Sequence, residues 1–168
     1  MQERPFELTE ELVREARVVV VDDDPLVTGS LCSFLSQEVG LEPVVFNESP
    51  RAAGYLRDHE IDLIISGFLM AGKDGIQLLA EVKHHYPEAA RILLTGYGDK
   101  ENAIRAINEV RVFKYLEKPW DNDQLRDVVL SGLERAMLMR RVGARIEELS
   151  RTHPDLVGLR DALVHTFA

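Results

Sequence analysis

The chain has 168 residues, 45% of them hydrophobic, with 29 acidic and 20 basic side chains and a formal net charge of −9. That is room for one domain with a core of its own and a short appendage, while the absence of any apolar run near membrane-span length and of a charged-then-apolar leader points to a cytoplasmic protein with no membrane role. The charge is −8 over residues 1–120 and −1 over 121–168, so neither part carries the basic face that a phosphate backbone selects, and nucleic acid is not an expected partner.

The first sixteen residues contain Leu8, Leu12 and Val13 at helical spacing, which predicts a short helix packed on the domain. Val18–Val21 is four β-branched residues in a row, the signature of a strand buried on both faces. Asp24 and Pro25 then open a helix that Gly40 closes after Val39. The lone Cys32 lies among Leu31, Phe34 and Leu35 and reads as a small buried apolar residue. Pro43–Phe46 is a short second strand, and Ser49-Pro50 starts a helix through Leu56. Ile61–Ile65 is the third strand. After the loop at its end, Asp74-Gly75 begins a helix over Ile76, Leu79 and Val82 that ends before Pro87, with His84 and His85 in its solvated last turn. Arg91–Thr95 is the fourth strand. Asp99 is placed to cap a helix through Ile104 and Ile107, and Val112–Leu116 is the fifth strand, stopped by Pro119. From Asp121-Asn122 a helix reads without a break to about Arg151, with Trp120 packing at its start. His153-Pro154 breaks it, and Leu156, Leu159, Leu163 and Val164 suggest a short last helix.

Five strand–helix units at this spacing predict an α/β fold with a parallel sheet and helices on both faces. In such a sheet the chemistry collects at the carboxyl ends of the strands. Asp22-Asp23-Asp24 ends the first strand, Ser66-Gly67 the third, Thr95-Gly96 the fourth and Glu117-Lys118-Pro119 the fifth. Carboxylates, a hydroxyl and a lysine on one rim can hold a divalent cation and a phosphoryl group. Taken singly, each has a plain alternative as a helix cap, a strand residue or a solvated charge. It is their agreement on one rim that points to function.

The stretches "VVVVDDDP", "DLIISGFLMAGKDG", "ILLTGYGD" and "KYLEKPW", in this order and spacing, resemble the receiver domain of bacterial response regulators (CheY-like) over roughly residues 17–138. The resemblance implies a flavodoxin-like five-stranded parallel sheet of order 2-1-3-4-5 and a place in two-component phosphorelay signalling, with a histidine kinase or another signalling protein as partner. It assigns Asp22 and Asp23 to the acidic pair that helps hold Mg²⁺, Thr95 to the switch hydroxyl, Tyr115 to the switch aromatic and Lys118 to the lysine that contacts the phosphoryl group. It also implies a cis peptide at Lys118-Pro119. Gly67 stands where receivers carry the aspartate that is phosphorylated. Glycine offers no carboxylate nucleophile. Ser66 should face the other side of the strand, Asp62 lies below the rim, and Asp74 is placed to cap its helix. The expectation is a degenerate receiver, a pseudo-receiver, that is not an enzyme, requires no cofactor and retains at most a weakened Mg²⁺ site. The loop departs from the family again at Ala71. An introduced Asp-to-Gly replacement in an active receiver is an open alternative.

Residues 1–16 and 139–168 flank the receiver-like part as an N-terminal and a helical C-terminal extension. Leu125, Val129, Leu133, Ala136, Met139, Val142, Ile146 and Leu149 recur at steps of three and four, averaging about 3.5, the coiled-coil period. The final receiver helix should end near Leu138, so its overrun of about three turns needs a partner. Either it pairs with a second copy to give a homodimer, or residues 154–168 fold back over it. Two further readings stay open. The "TGYGD…KPW" pattern resembles receivers joined to cyclic-di-GMP phosphodiesterase modules of the HD-GYP type, which would make the chain the regulatory piece of a longer protein. "VVVVDDDP" faintly resembles the haloacid-dehalogenase phosphatases, with Asp22 as nucleophile and Asp24 as general acid, but the later acidic metal motif of that family is not evident.

Overall fold

The computed structural model describes residues 7–167. Residues 1–6 of the expected N-terminal extension, and Ala168, lie outside that range. Five strands, β1 (Val18–Val21), β2 (Val44–Phe46), β3 (Leu63–Gly67), β4 (Ala90–Thr95) and β5 (Lys114–Glu117), form one parallel sheet of order β2-β1-β3-β4-β5. Seven α-helices accompany it among the described residues: α1 (Glu10–Glu15), α2 (Pro25–Phe34), α3 (Ser49–Asp58), α4 (Gly75–His85), α5 (Lys100–Val110), α6 (Asn122–Ser150) and α7 (Leu159–Phe167). This is the flavodoxin-like architecture expected from the sequence, with the long terminal helix in place.

The all-valine β1 is buried along its whole length. Its side chains alternate, as a strand requires. Val18 and Val20 join Leu63, Ile65, Ile92 and Leu94 under α2 and α6. Val19 and Val21 join Ile64 and Leu93 under α3, α4 and α5. Burying each Val, Leu or Ile contributes about 1.5–3 kcal/mol, and the central strands β1, β3 and β4 are lined on both faces. The outer strand β2 is only three residues long and leaves Val44 and Val45 exposed.

Helix ends follow the expected chemistry. Asp24 accepts from Leu26 N at 2.9 Å, with Pro25 in the first turn. α2 continues as a π-turn over Leu35–Val39 and stops at Gly40, whose φ of 83° a side chain would strain. Asp74 and Gln77 form a reciprocal capping box on α4. Asp121 accepts from Gln124 N at 2.9 Å at the start of α6. His84 and His85 are exposed at the end of α4, and Trp120 packs half-buried on the core under α6. The Lys118-Pro119 peptide is cis.

Four expectations are corrected. β3 begins at Leu63 rather than Ile61 and runs through Ser66 to Gly67, because Asp62 turns aside to bond the Arg17 N–H at 2.7 Å. β5 begins at Lys114 rather than Val112. Asp99 leaves α5 without a side-chain cap and instead accepts from Gly96 N at 3.3 Å. Cys32 is half-buried rather than buried.

The amino end of the sheet is tied by arginines. Arg91, only 2% exposed, donates to the carbonyls of Val110, Pro87, Ala89 and Arg111 at 3.0–3.3 Å. These are the last carbonyls of α5 and of the α4–β4 connection, where positive charge is favourable. Burial, with Arg135 and Arg111 nearby, holds the pKa of Arg91 down to about 10, below the usual guanidinium range. α6 starts at the carboxyl rim and passes below the amino end. There Arg140 Nη1 lies 2.8 Å from Asp62 Oδ1, an ion pair off the hydrogen-bonding direction, and Nη2 donates to Ile61 O at 3.4 Å. A 3₁₀ turn (Pro154–Leu156) and Gly158 then reverse the chain, and α7 returns along α6. The terminal segment therefore folds back on the overrun.

Candidate functional site

The rim at the carboxyl ends of β1, β3, β4 and β5 is built by the strand register. β1 ends at Val21, and the next residue, Asp22, is 1% exposed. Its backbone is pinned from β2: Asp22 N donates to Phe46 O at 3.2 Å, and Asn47 Nδ2 donates to Asp22 O and to Thr28 Oγ1, both at 2.9 Å. Asp22 Oδ1 accepts from Asp24 N at 3.0 Å, the local turn that aspartate favours. Oδ2 accepts from Lys118 Nζ at 2.7 Å. Lys118 reaches it from the end of β5 and stays 31% exposed. Its backbone N–H donates to Thr95 O at 2.8 Å, which fastens the β5 end to β4. The bond from Lys118 to Asp22 thus spans the rim from the fifth strand to the first.

Gly67 is the last residue of β3, opposite Leu94. A Cβ built on Gly67 would lie within contact distance of Asp22 Oδ2 and only 3.0 Å from Asp22 Cγ. The Asp22 carboxylate occupies the space that a side chain at position 67 would take. Two neighbouring residues offer no substitute for such a side chain. The Ser66 hydroxyl is wholly buried and donates to the Gly67 carbonyl at 3.0 Å. The Asp74 carboxylate caps α4. Asp62 sits at the far, amino end of the sheet, held by Arg17 and Arg140.

Of the residues singled out from sequence, Asp22, Gly67 and Lys118 meet. Thr95, 1% exposed, lies beside them at the end of β4, with its hydroxyl donating to Leu116 O at 3.4 Å. Tyr115 is half-buried on β5 against the core beneath α3, α4 and α5. Asp23 is exposed. Asn47 and Thr28, which brace Asp22, are not among the residues that the sequence singles out. Asn47 closes β2, and its place at a strand end is the one signal that points to it.

The fold implies a Mg²⁺ ion at such a rim, but the donor set does not fit one. Mg²⁺ requires a near-octahedral shell of oxygens. Here both Asp22 oxygens are engaged, one by an ammonium, and Asp23 faces solvent. Among the described residues no cluster of three or more acidic, histidine or cysteine side chains is placed to hold a metal. The Lys118 ammonium supplies the positive charge at Asp22.

The sequence profile of the response regulator receiver domain matches residues 18–130. The hydrogenase transcriptional regulatory protein HoxA of Cupriavidus necator is 33% identical over 121 residues, which is 72% of this chain and 25% of that protein. The transcriptional regulatory protein GlrR of Escherichia coli is 32% identical over 73% of this chain and 27% of that protein. Among solved structures, the signal receiver domain of an HD domain-containing protein from Pseudomonas fluorescens Pf-5 aligns with a TM-score of 0.71 and 32% identity, over 76% of this chain and 93% of that one. The chain spans about a quarter of the length of these two curated relatives.

Proposed function

Since the chain belongs to the response regulator receiver family of two-component signalling, we propose that it is a receiver that does not accept a phosphoryl group and acts through protein–protein contact. One observation carries the reading. At the end of β3, where the acceptor carboxylate would stand, Gly67 presents none, and the Asp22 carboxylate fills its space and is bound to Lys118. A phosphoryl donor meets an ion pair there instead of a nucleophile. By family position, Thr95 and Tyr115 are the switch pair and Lys118 the phosphoryl contact, now engaged with Asp22. The domain works without a cofactor, and any Mg²⁺ binds weakly. A haloacid-dehalogenase reading has little support, since its nucleophile would be the same buried, lysine-bound Asp22. Incubation with acetyl phosphate and Mg²⁺, followed by intact mass, tests the reading: the mass stays unchanged, and acid-labile addition of one phosphoryl group overturns it.

The partner is a signalling protein, a histidine kinase or a second copy of this chain. The second copy is favoured by α6, where Val142 and Leu149 each remain 37% exposed with Ile146 half-buried between them. That is a narrow apolar stripe at coiled-coil spacing on a helix that overruns its domain. The similar receiver from an HD domain-containing protein, and the fraction of the regulators that the chain spans, favour an output domain elsewhere in a longer protein. Among the described residues no helix is long and apolar enough to cross a membrane.

A further inference from the structure

α7 packs on α6 and buries little apolar surface of its own. Among its described side chains only Val164 is buried, at 3% exposure. What fixes it is polar. Arg160 Nη2 donates to Glu88 Oε1 at 2.8 Å, at the entrance to β4, and Arg160 Nη1 lies 3.6 Å from Glu147 on α6. Arg111, at the end of α5, donates to the carbonyls of His165 and Thr166 at 2.6 and 3.4 Å. Arg111 adopts a positive φ of 48°, a conformation that favours glycine, yet it is the Arg111 side chain that reaches α7.

The seat for Arg160 is cut into α6. Gly143 is buried in mid-helix, where glycine is unfavourable by propensity. A Cβ at Gly143 would come within 2.8 Å of Arg160 Nε and 3.3 Å of its Cδ. The missing side chain is what lets the arginine lie across the helix. α7 thereby lies on the face of α6 that carries Gly143, and its Thr166 lines one cavity with Met139 on the flank of the apolar stripe, while Val142 and Leu149 stay exposed.

We infer that α7 is a releasable strap: Arg160 seated on Gly143 locks it over one side of the α6 stripe, and its release widens the stripe enough for two copies to pair. The inference rests on the self-association reading above. A helix with so little buried apolar surface opens at low free-energy cost, and a lock made of partly exposed ion pairs weakens as salt screens it.

The test uses the full chain. Arg160→Ala removes the lock, and Gly143→Ala blocks its seat. On propensity alone Gly143→Ala should stabilise α6, so a loosened α7 in that variant separates the two accounts. Hydrogen exchange over residues 159–166 reads the strap, and light scattering at micromolar concentration reads the mass. In both variants exchange in α7 accelerates by about tenfold and the mass shifts from monomer towards dimer. Adding Ile146→Asp returns it to monomer with α7 still loose. Unchanged exchange in both variants overturns the lock. Faster exchange with a monomer mass leaves the lock standing and overturns both the gating and the homodimer reading.

Discussion

The repacked rim makes a sharp forecast for Gly67→Ala. Gly67 is extended strand and is not among the residues with positive φ, so its backbone accepts alanine, and the smaller entropy of the unfolded chain alone would stabilise the variant by about 0.4–1 kcal/mol. Against that, the new Cβ lands on the Asp22 carboxylate, with Cγ at 3.0 Å. Overpacking of this kind costs about 1–3 kcal/mol. Moving the carboxylate also disturbs its bonds to Lys118 and Asp24 N. Stranding a buried charge outright costs about 3–5 kcal/mol, but Lys118 is flexible and can follow, so only a fraction of that applies. The net expectation is a loss of about 1–2 kcal/mol, read as a lower urea midpoint at constant slope. The control is the double-mutant cycle with Asp22→Ala. With the carboxylate gone, Gly67→Ala turns neutral or stabilising. A stabilising Gly67→Ala in the wild-type background, or an unchanged penalty beside Asp22→Ala, refutes the reasoning. Gly67→Asp adds a second carboxylate against Asp22 and is expected to cost more than the alanine. It regains acetyl-phosphate labelling only if Asp22 swings aside.

Lys118→Ala leaves Asp22 buried without its cation and lowers stability by about 1–3 kcal/mol, given the partial exposure of the lysine, measured by urea unfolding. Millimolar Mg²⁺ leaves the melting temperature of the wild type nearly unchanged, and a rise of several degrees would show a metal site intact without a third carboxylate. Arg91→Ala frees four carbonyls at the end of α5 and in the α4–β4 connection and costs about 2–4 kcal/mol, with hydrogen exchange rising first at the end of α5. Tyr86 donates to Leu56 O at 2.6 Å, and burial, followed by Glu60 and Asp58, raises its phenol pKa above the usual 10. The folded state therefore holds this proton more tightly than the unfolded one. The stability it contributes is complete below pH 10 and is lost as pH climbs through the raised value, a component that Tyr86→Phe removes from the alkaline limb of the stability curve.

The sheet was legible because its signals are redundant. Runs of Val, Ile and Leu mark β1, β3 and β4, and a capping residue or proline stands at most helix starts. Boundaries slipped where a residue had two partners to choose from. Ile61 and Asp62 look like strand, but Asp62 serves Arg17 across 45 positions of sequence and Arg140 across still more, distances no local pattern carries. The absent carboxylate at Gly67 could be read directly, whereas its consequence could not: where Asp22 turns depends on the three-dimensional space that glycine leaves. The C-terminal stripe had the same character. Its period announced a partner and left two candidates, a second copy or a fold-back of residues 154–168; the fold lays α7 along α6, admitted by Gly143, which in sequence looks like a mere weak point in a helix.

α6 also has a mechanical meaning. It is one unbroken rod of 29 residues, about 44 Å long at 1.5 Å per residue. Its first turn rests on the rim beside Lys118-Pro119, and its last hangs below the opposite end of the sheet. A tilt of about 5° at the rim carries the far tip through about 4 Å, more than the reach of a hydrogen bond. The contacts of its distal half, Arg140 with Asp62 and Arg160, seated on Gly143, with Glu88, therefore sit where small displacements at the rim are magnified, to about 2–3 Å for the same tilt. Whatever presses on the loops around Lys118 is amplified most at the end of the rod farthest from it.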